Sequence, residues 1–99
     1  MDLKDKIIVV TGAASGIGRA LCLACAAHGA KAVACLDYDT EGAQSIAHEI
    51  NGLAITVDVS QEHQIADAID QIERELGPID LFCSNAGVLI EGGTETPNA

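Results

Sequence analysis

The stretch Lys6–Gly18, KIIVVTGAASGIG, decides the fold. Its first six residues, Lys6 to Thr11, form a nearly unbroken β-branched run, the composition of a strand buried on both faces of a parallel sheet. Three glycines follow, Gly12, Gly16 and Gly18, and from Gly16 the period turns helical. Ile17, Leu21, Ala24, Cys25 and His28 recur at helical spacing, and Gly29 stops the helix. A strand, a glycine loop and a helix in that order place each glycine under a different demand. Gly12 permits a tight turn, Gly16 lets the backbone approach a phosphate, and Gly18 lets the helix pack close to the sheet. The helix N-terminus then offers N–H groups and a positive dipole end to a pyrophosphate, with Ser15 and Ile17 flanking the contact.

The pattern repeats outward from this stretch. Lys31–Asp37 reads as a second strand, Asp39–Ile50 as a helix with Ala43, Ile46, Ala47 and Ile50 on one face, and Leu53–Val57 as a third strand. Asp58–Ser60 forms a turn, with Ser60 expected to cap a helix that turns Ile65, Ile69, Ile72 and Leu76 inward. Gly77-Pro78 ends that helix, and Ile79–Ser84 is a fourth strand closed by Asn85-Ala86-Gly87. The order β-α-β-α-β-α-β predicts an α/β Rossmann-type doubly wound parallel sheet, in part, with strand order 3-2-1-4. The fourth strand is then an edge without Lys or interior Pro, so the chain alone is expected to be marginally stable or to self-associate.

Bulk properties narrow the function. Ninety-nine residues make at most one small domain, and the 2% aromatic content leaves its core to Ile, Leu, Val, Ala and Cys. A formal net charge of −10 argues against nucleic acid or an anionic membrane as partner, but not against one nucleotide held by backbone N–H groups. No apolar run is long enough to span a bilayer. MDLKDK leads straight into the first strand and leaves no room for a signal peptide, so a cytoplasmic location with reduced thiols is expected.

Asp37 stands about twenty residues past the glycines, where a carboxylate can accept hydrogen bonds from the adenosine ribose hydroxyls. A carboxylate there repels a 2′-phosphate, and Ser15 occupies the place just before Gly16 where a basic residue would attract one. NAD is therefore expected over NADP. A Walker-type loop is disfavoured, because Arg19-Ala20 follows Gly18 where Lys and Ser or Thr would be needed.

TGAASGIG at Thr11–Gly18, Asp37, DVS at Asp58–Ser60 and SNAG at Ser84–Gly87 together resemble the classical short-chain dehydrogenases/reductases over nearly the whole chain. The resemblance implies that Asp58 lies beside the adenine with the Val59 backbone close by. It implies that Asn85, Ala86 and Gly87 close the fourth strand beside the cofactor ribose. This sequence departs from the family at Ser84, where Asn is usual. The family's catalysis uses a Ser, a Tyr and a Lys four residues after that Tyr, all downstream of the NAG turn. The one tyrosine here, Tyr38, is followed four places on by Gly42 and falls on the adenosine side. No residue is assigned a catalytic role.

The expectation is that residues 1–99 are the N-terminal, NAD-binding part of a longer, homo-oligomeric enzyme that moves hydride between a nicotinamide and an alcohol or ketone. By itself the chain is expected to be inactive. The alternatives are a non-catalytic dinucleotide-binding or regulatory module, and another Rossmann-type enzyme such as a methyltransferase. Cys22-x-x-Cys25 lies mid-helix and reads as small apolar packing, as do Cys35 and Cys83 within strands. His28, His48 and His63 read as surface or capping residues, and Asp67, Asp70, Glu73 and Glu75 as a solvated helix face, so no metal site is expected. Arg19 is placed either near the phosphates or in a plain salt bridge.

Overall fold

A computed structural model describes residues 2–84. Seven elements alternate: β1 (Ile7–Thr11), α1 (Gly16–Ala27), β2 (Ala32–Asp37), α2 (Thr40–Ile50), β3 (Leu53–Thr56), α3 (Glu62–Glu75) and β4 (Leu81–Ser84). The strands form one sheet of order β3-β2-β1-β4, and every pairing is parallel. The fold class, element order and strand order are those expected from the sequence.

All five residues of β1 are buried, because the strand lies inside the sheet with helices on both faces. Alternate side chains feed two cores. Ile8 and Val10 join Val33 and Cys35 of β2 beneath Cys22 and Cys25 of α1 and Ile46 and Ala47 of α2. Ile7 and Val9 join Ala34, Leu36 and Val57 against Ala68 and Ile72 of α3. Val10 pairs with Cys35 on one side and Cys83 on the other, so the strand thiols flank it beneath α1. Cys22 Sγ lies 3.7 Å from Cys35 Sγ, and their shared hydrogen bond and burial push the Cys22 thiol up. Burial pushes Cys25 up to about 11, so Cys22 and Cys25 pack as neutral small apolar groups.

Three expected packing details differ. The buried row of α1 is Gly18, Cys22 and Cys25, with Leu21 half-buried, whereas Ile17, Ala24 and His28 are exposed. The rotation follows from Gly18. A Cβ there would overlap the Gly12 carbonyl oxygen, so the residue without a side chain marks the line of closest approach to the sheet. In α3 the inward row is Ile65, Ala68, Ile72 and Leu76, while Ile69 turns to a shallow surface cleft with Ile65 and Ala66. Ser60 does not cap α3. Gln61 holds the N-cap position without a side-chain bond, and the Ser60 hydroxyl donates instead to Asp58 Oδ1 at 2.7 Å. Donating that hydroxyl does not itself prevent capping; Ser60 stands one residue before the N-cap position of a helix that begins at Glu62.

At the opposite edge of the sheet, Asp80 ties β4 to β1. Its carboxylate Oδ2 accepts from Ile7 N at 2.8 Å, and its own N–H donates to Ile7 O at 2.8 Å. This fixes the register that brings Ser84 level with Thr11, the last residue of β1.

Candidate functional site

The site is assembled at the carboxyl ends of β1, β2 and β3. In an open parallel sheet the crevice forms where neighbouring connections leave in opposite directions. Here that point is β1, whose neighbours β2 and β4 are reached across opposite faces.

The loop leaving β1 is shaped by backbone fit at its glycines and pinned by two side chains, Asp37 and Ser15. Gly12 turns the chain at φ +65°, a left-handed conformation that glycine adopts without steric cost. Ala13 N donates to Leu36 O at 3.0 Å, and Ala14 N donates to Asp37 Oδ2 at 2.9 Å. The Ser15 hydroxyl donates to Gly12 O at 2.8 Å and accepts from Gly18 N at 3.2 Å, capping α1. A Cβ on Gly16 would meet nothing within 4 Å, so the first turn of α1 opens onto free space. No acidic side chain lies in that turn to compete for an anion. Ile17 stands 71% exposed beside it. Arg19 is turned the other way, onto Glu49 of α2 at 2.5 Å, which is the salt-bridge option of the two expected for it.

The turn leaving β3 is built from side chains. Asp58 N donates to Gln64 Oε1 of α3 at 2.8 Å. Asp58 Oδ1 accepts from both the N–H and the hydroxyl of Ser60, and these bonds hold its carboxyl below the usual carboxylate range. Val57 N donates to Asp37 O at 3.0 Å, which joins this turn to the end of β2.

Between the turns lies a cleft of about 240 Å³ lined by Gly12, Asp37, Tyr38, Val57, Asp58 and Val59. The structure therefore brings four of the expected residues, Gly12, Asp37, Asp58 and Val59, to one cavity. Ser15, Gly16, Ile17 and Gly18 form the adjoining loop and first helical turn. Asn85, Ala86 and Gly87 lie outside the described residues. Two lining residues were not among the expected set. Tyr38 is 75% exposed and supplies a flat wall, and buried Val57 supplies the apolar floor. Tyr38 could have been found from its place directly after Asp37; Val57 reads in sequence only as the end of a strand. Among the described residues no cluster of three or more His, Cys, Asp or Glu could hold a metal ion, and no helix is long and apolar enough to cross a membrane.

This chemistry suits an anion bearing vicinal hydroxyls and a flat ring. It offers N–H groups at a helix start, carboxylate acceptors on the cleft wall, and an apolar floor beneath an exposed aromatic ring. The sequence model of the short chain dehydrogenase family matches residues 6–98. A short chain dehydrogenase of Claviceps purpurea is 38% identical over 95 residues, which span 91% of this chain and 36% of that protein. A crystal structure described as ribose-5-phosphate isomerase from Brucella melitensis 16M superposes with a TM-score of 0.81 at 34% identity, covering 89% of this chain and 34% of that one. A hydroxysteroid dehydrogenase from Escherichia coli gives 0.76 at 27% identity, covering 81% and 34%. The chain thus spans about a third of the length of the relatives it matches. Fold, glycine loop and sequence together place this chain in the short-chain dehydrogenase/reductase family.

Proposed function

We propose that residues 1–99 are the dinucleotide-binding portion of a short-chain oxidoreductase, and that they take NAD in preference to NADP. The observation that carries this reading is the cleft at the strand ends, where Asp37 and Asp58 stand beside a helix start left open at Gly16. A Cβ at Gly16 would fill the space a pyrophosphate needs. The first-turn N–H groups would hold the phosphates, Asp37 the adenosine ribose hydroxyls, and Asp58 with Val59 the adenine, stacked near Tyr38. Asn85, Ala86 and Gly87 complete the set on the family resemblance. Asp39, next to Asp37, adds a second negative charge against a 2′-phosphate.

When bound, the nicotinamide supplies the hydride chemistry, with an alcohol or ketone as substrate of the whole enzyme. This chain's part is to bind and orient the cofactor. No Tyr followed four residues later by Lys occurs in the sequence, so the chain alone does not turn over. The whole enzyme is read as a cytoplasmic homo-oligomer.

Fluorescence titration of the full chain with NADH and NADPH tests the reading. Saturable enhancement with NADH, and at least tenfold weaker binding of NADPH, is expected. Unchanged NADH fluorescence at millimolar protein removes the dinucleotide site. Asp37→Ala should narrow the NADH/NADPH gap; an unchanged ratio removes Asp37 from ribose recognition.

A further inference from the structure

We infer that Asp37 is also a positioning residue for the phosphate-binding loop, so that recognition of the ribose and ordering of the pyrophosphate site run through one carboxylate. The inference rests on the cofactor reading above and extends it.

Both carboxylate oxygens of Asp37 are engaged within the protein. Oδ2 accepts from Ala14 N at 2.9 Å, across 23 residues of sequence, and Oδ1 accepts from Asp39 N at 3.0 Å. The first bond reaches into the middle of the glycine loop. Ala13 N, one residue earlier, is bonded to Leu36 O at 3.0 Å. Two consecutive loop N–H groups therefore point at the end of β2, away from the opening at Gly16. That leaves the N–H groups of Gly16 and Ile17 at the start of α1 to face the anion, Gly18 N being taken by Ser15, and fixes their aim, because Ser15, which caps α1, follows Ala14 directly.

Packing from the start of α2 closes on the same residue. A Cβ on Gly42 would come within 2.5 Å of Ala14 Cβ and 2.6 Å of Asp39 Oδ2, so α2 presses on the loop as closely as backbone allows. Asp39 Oδ1 accepts from Gly42 N at 3.1 Å and holds that turn in place. Ala14 is thus clamped between the Asp37 carboxylate and Gly42. Each carboxylate oxygen has two lone-pair directions, so Asp37 can keep its protein bonds and still accept from ribose hydroxyls.

The test separates the two roles with ligands that differ only in those hydroxyls. The full chain, Asp37→Ala and Asp37→Asn are titrated calorimetrically with ADP and with 2′,3′-dideoxyadenosine diphosphate. A carboxylate that serves only the ribose leaves dideoxy binding unchanged on Asp37→Ala, or tightens it by removing a negative charge. The clamp requires the opposite: about tenfold weaker dideoxy binding in Asp37→Ala, with most of that loss recovered in Asp37→Asn, whose one amide oxygen can accept from Ala14 N while the bond from Asp39 N is given up. Equal or tighter dideoxy binding by Asp37→Ala overturns the inference. Amide hydrogen exchange reads the bond itself. Ala14 should be protected as well as Ala13 in the wild type, and lose protection in Asp37→Ala. Should that variant not fold, wild-type exchange decides, and fast exchange at Ala14 beside a protected Ala13 overturns the clamp. A wild-type chain that binds neither nucleotide while Ala14 stays protected overturns the cofactor reading, and the coupling with it.

Discussion

The turn that leaves β1 and the turn that leaves β3 reach the same cleft by opposite means. The first is shaped by steric fit of the backbone, with the Ser15 and Asp37 side chains bonded onto it: a left-handed Gly12, a helix pressed onto it at Gly18, and an open approach at Gly16. The second is made of side chains: Asp58 folded onto Ser60 and roped to α3 by Gln64. A backbone turn cannot be loosened a little. It tolerates the residue that fits and rejects the next methyl group. A side-chain turn can lose one bond and let water replace it. The two ends of one cleft should therefore fail differently under mutation.

The sharpest break in this comparison is Gly18→Ala. The added Cβ has no room against the Gly12 carbonyl, and the obstacle is backbone at the base of the sheet, so relief means lifting α1 from the core. We expect a loss of about 3 kcal/mol or more in unfolding free energy, enough to abolish the folded state of a small domain. Urea denaturation checks it. A loss below about 1 kcal/mol would show that α1 can shift freely, and that the loop is not backbone-limited.

Gly16→Ala, two residues away, should do the reverse. Its Cβ enters open space, and alanine in place of glycine favours a helical first turn, so unfolding free energy should hold or rise by up to about 1 kcal/mol. Affinity for NADH should fall about tenfold, because the methyl group takes the space of a phosphate oxygen. Unaltered NADH binding would mean that the anion does not approach the helix at Gly16.

At the β3 end, Gln64→Ala removes the acceptor of Asp58 N. That N–H is only half-buried, so water can take over. The expected loss is about 1 kcal/mol, with the fold retained and adenine-side affinity lowered by a few-fold. A loss as large as that of Gly18→Ala would erase the distinction between the two turns.

The contrast also explains what the sequence could reveal. The strand order, the alternation and the glycine loop were legible because backbone geometry selects residue types there. Only glycine suits Gly12 and Gly18, and only a continuous apolar run suits β1. Asp37 was picked out by its spacing past the glycines and Asp58 by the family resemblance, and both line the same cleft. Their protein partners were not legible. The bond from Ala14 N to Asp37 Oδ2, and that from Ser60 to Asp58, depend on which acceptor lies closer once the strands are paired. Local pattern ranks Ser60 as a cap because it cannot place the start of α3 one residue later, with Gln61 in the N-cap position. The face of α1 was misread for a related reason. Hydrophobicity favoured Ile17 and Ala24, but the closest approach to the sheet belongs to Gly18, which has no hydrophobicity to register.

The smallest effect tests the side-chain turn most directly. Asp58 Oδ1 accepts two bonds from Ser60, and both favour the ionised carboxyl, so its titration lies below that of ordinary aspartates. A carboxyl whose folded value is depressed contributes stability above its unfolded value, and that contribution fades as pH falls through the folded one. The exposed position keeps the contribution slight, so the readout is the titration itself, followed by carboxyl carbon NMR. Ser60→Ala removes the hydroxyl bond and leaves the N–H bond in place. The Asp58 midpoint should rise part of the way toward the ordinary aspartate value, and Gly18 and Ala14 amide shifts should not move. An unmoved Asp58 midpoint would assign the depression to the backbone alone, making this turn as backbone-built as the one after β1. Shifts at Gly18 or Ala14 would show that the two ends of the cleft are not independent.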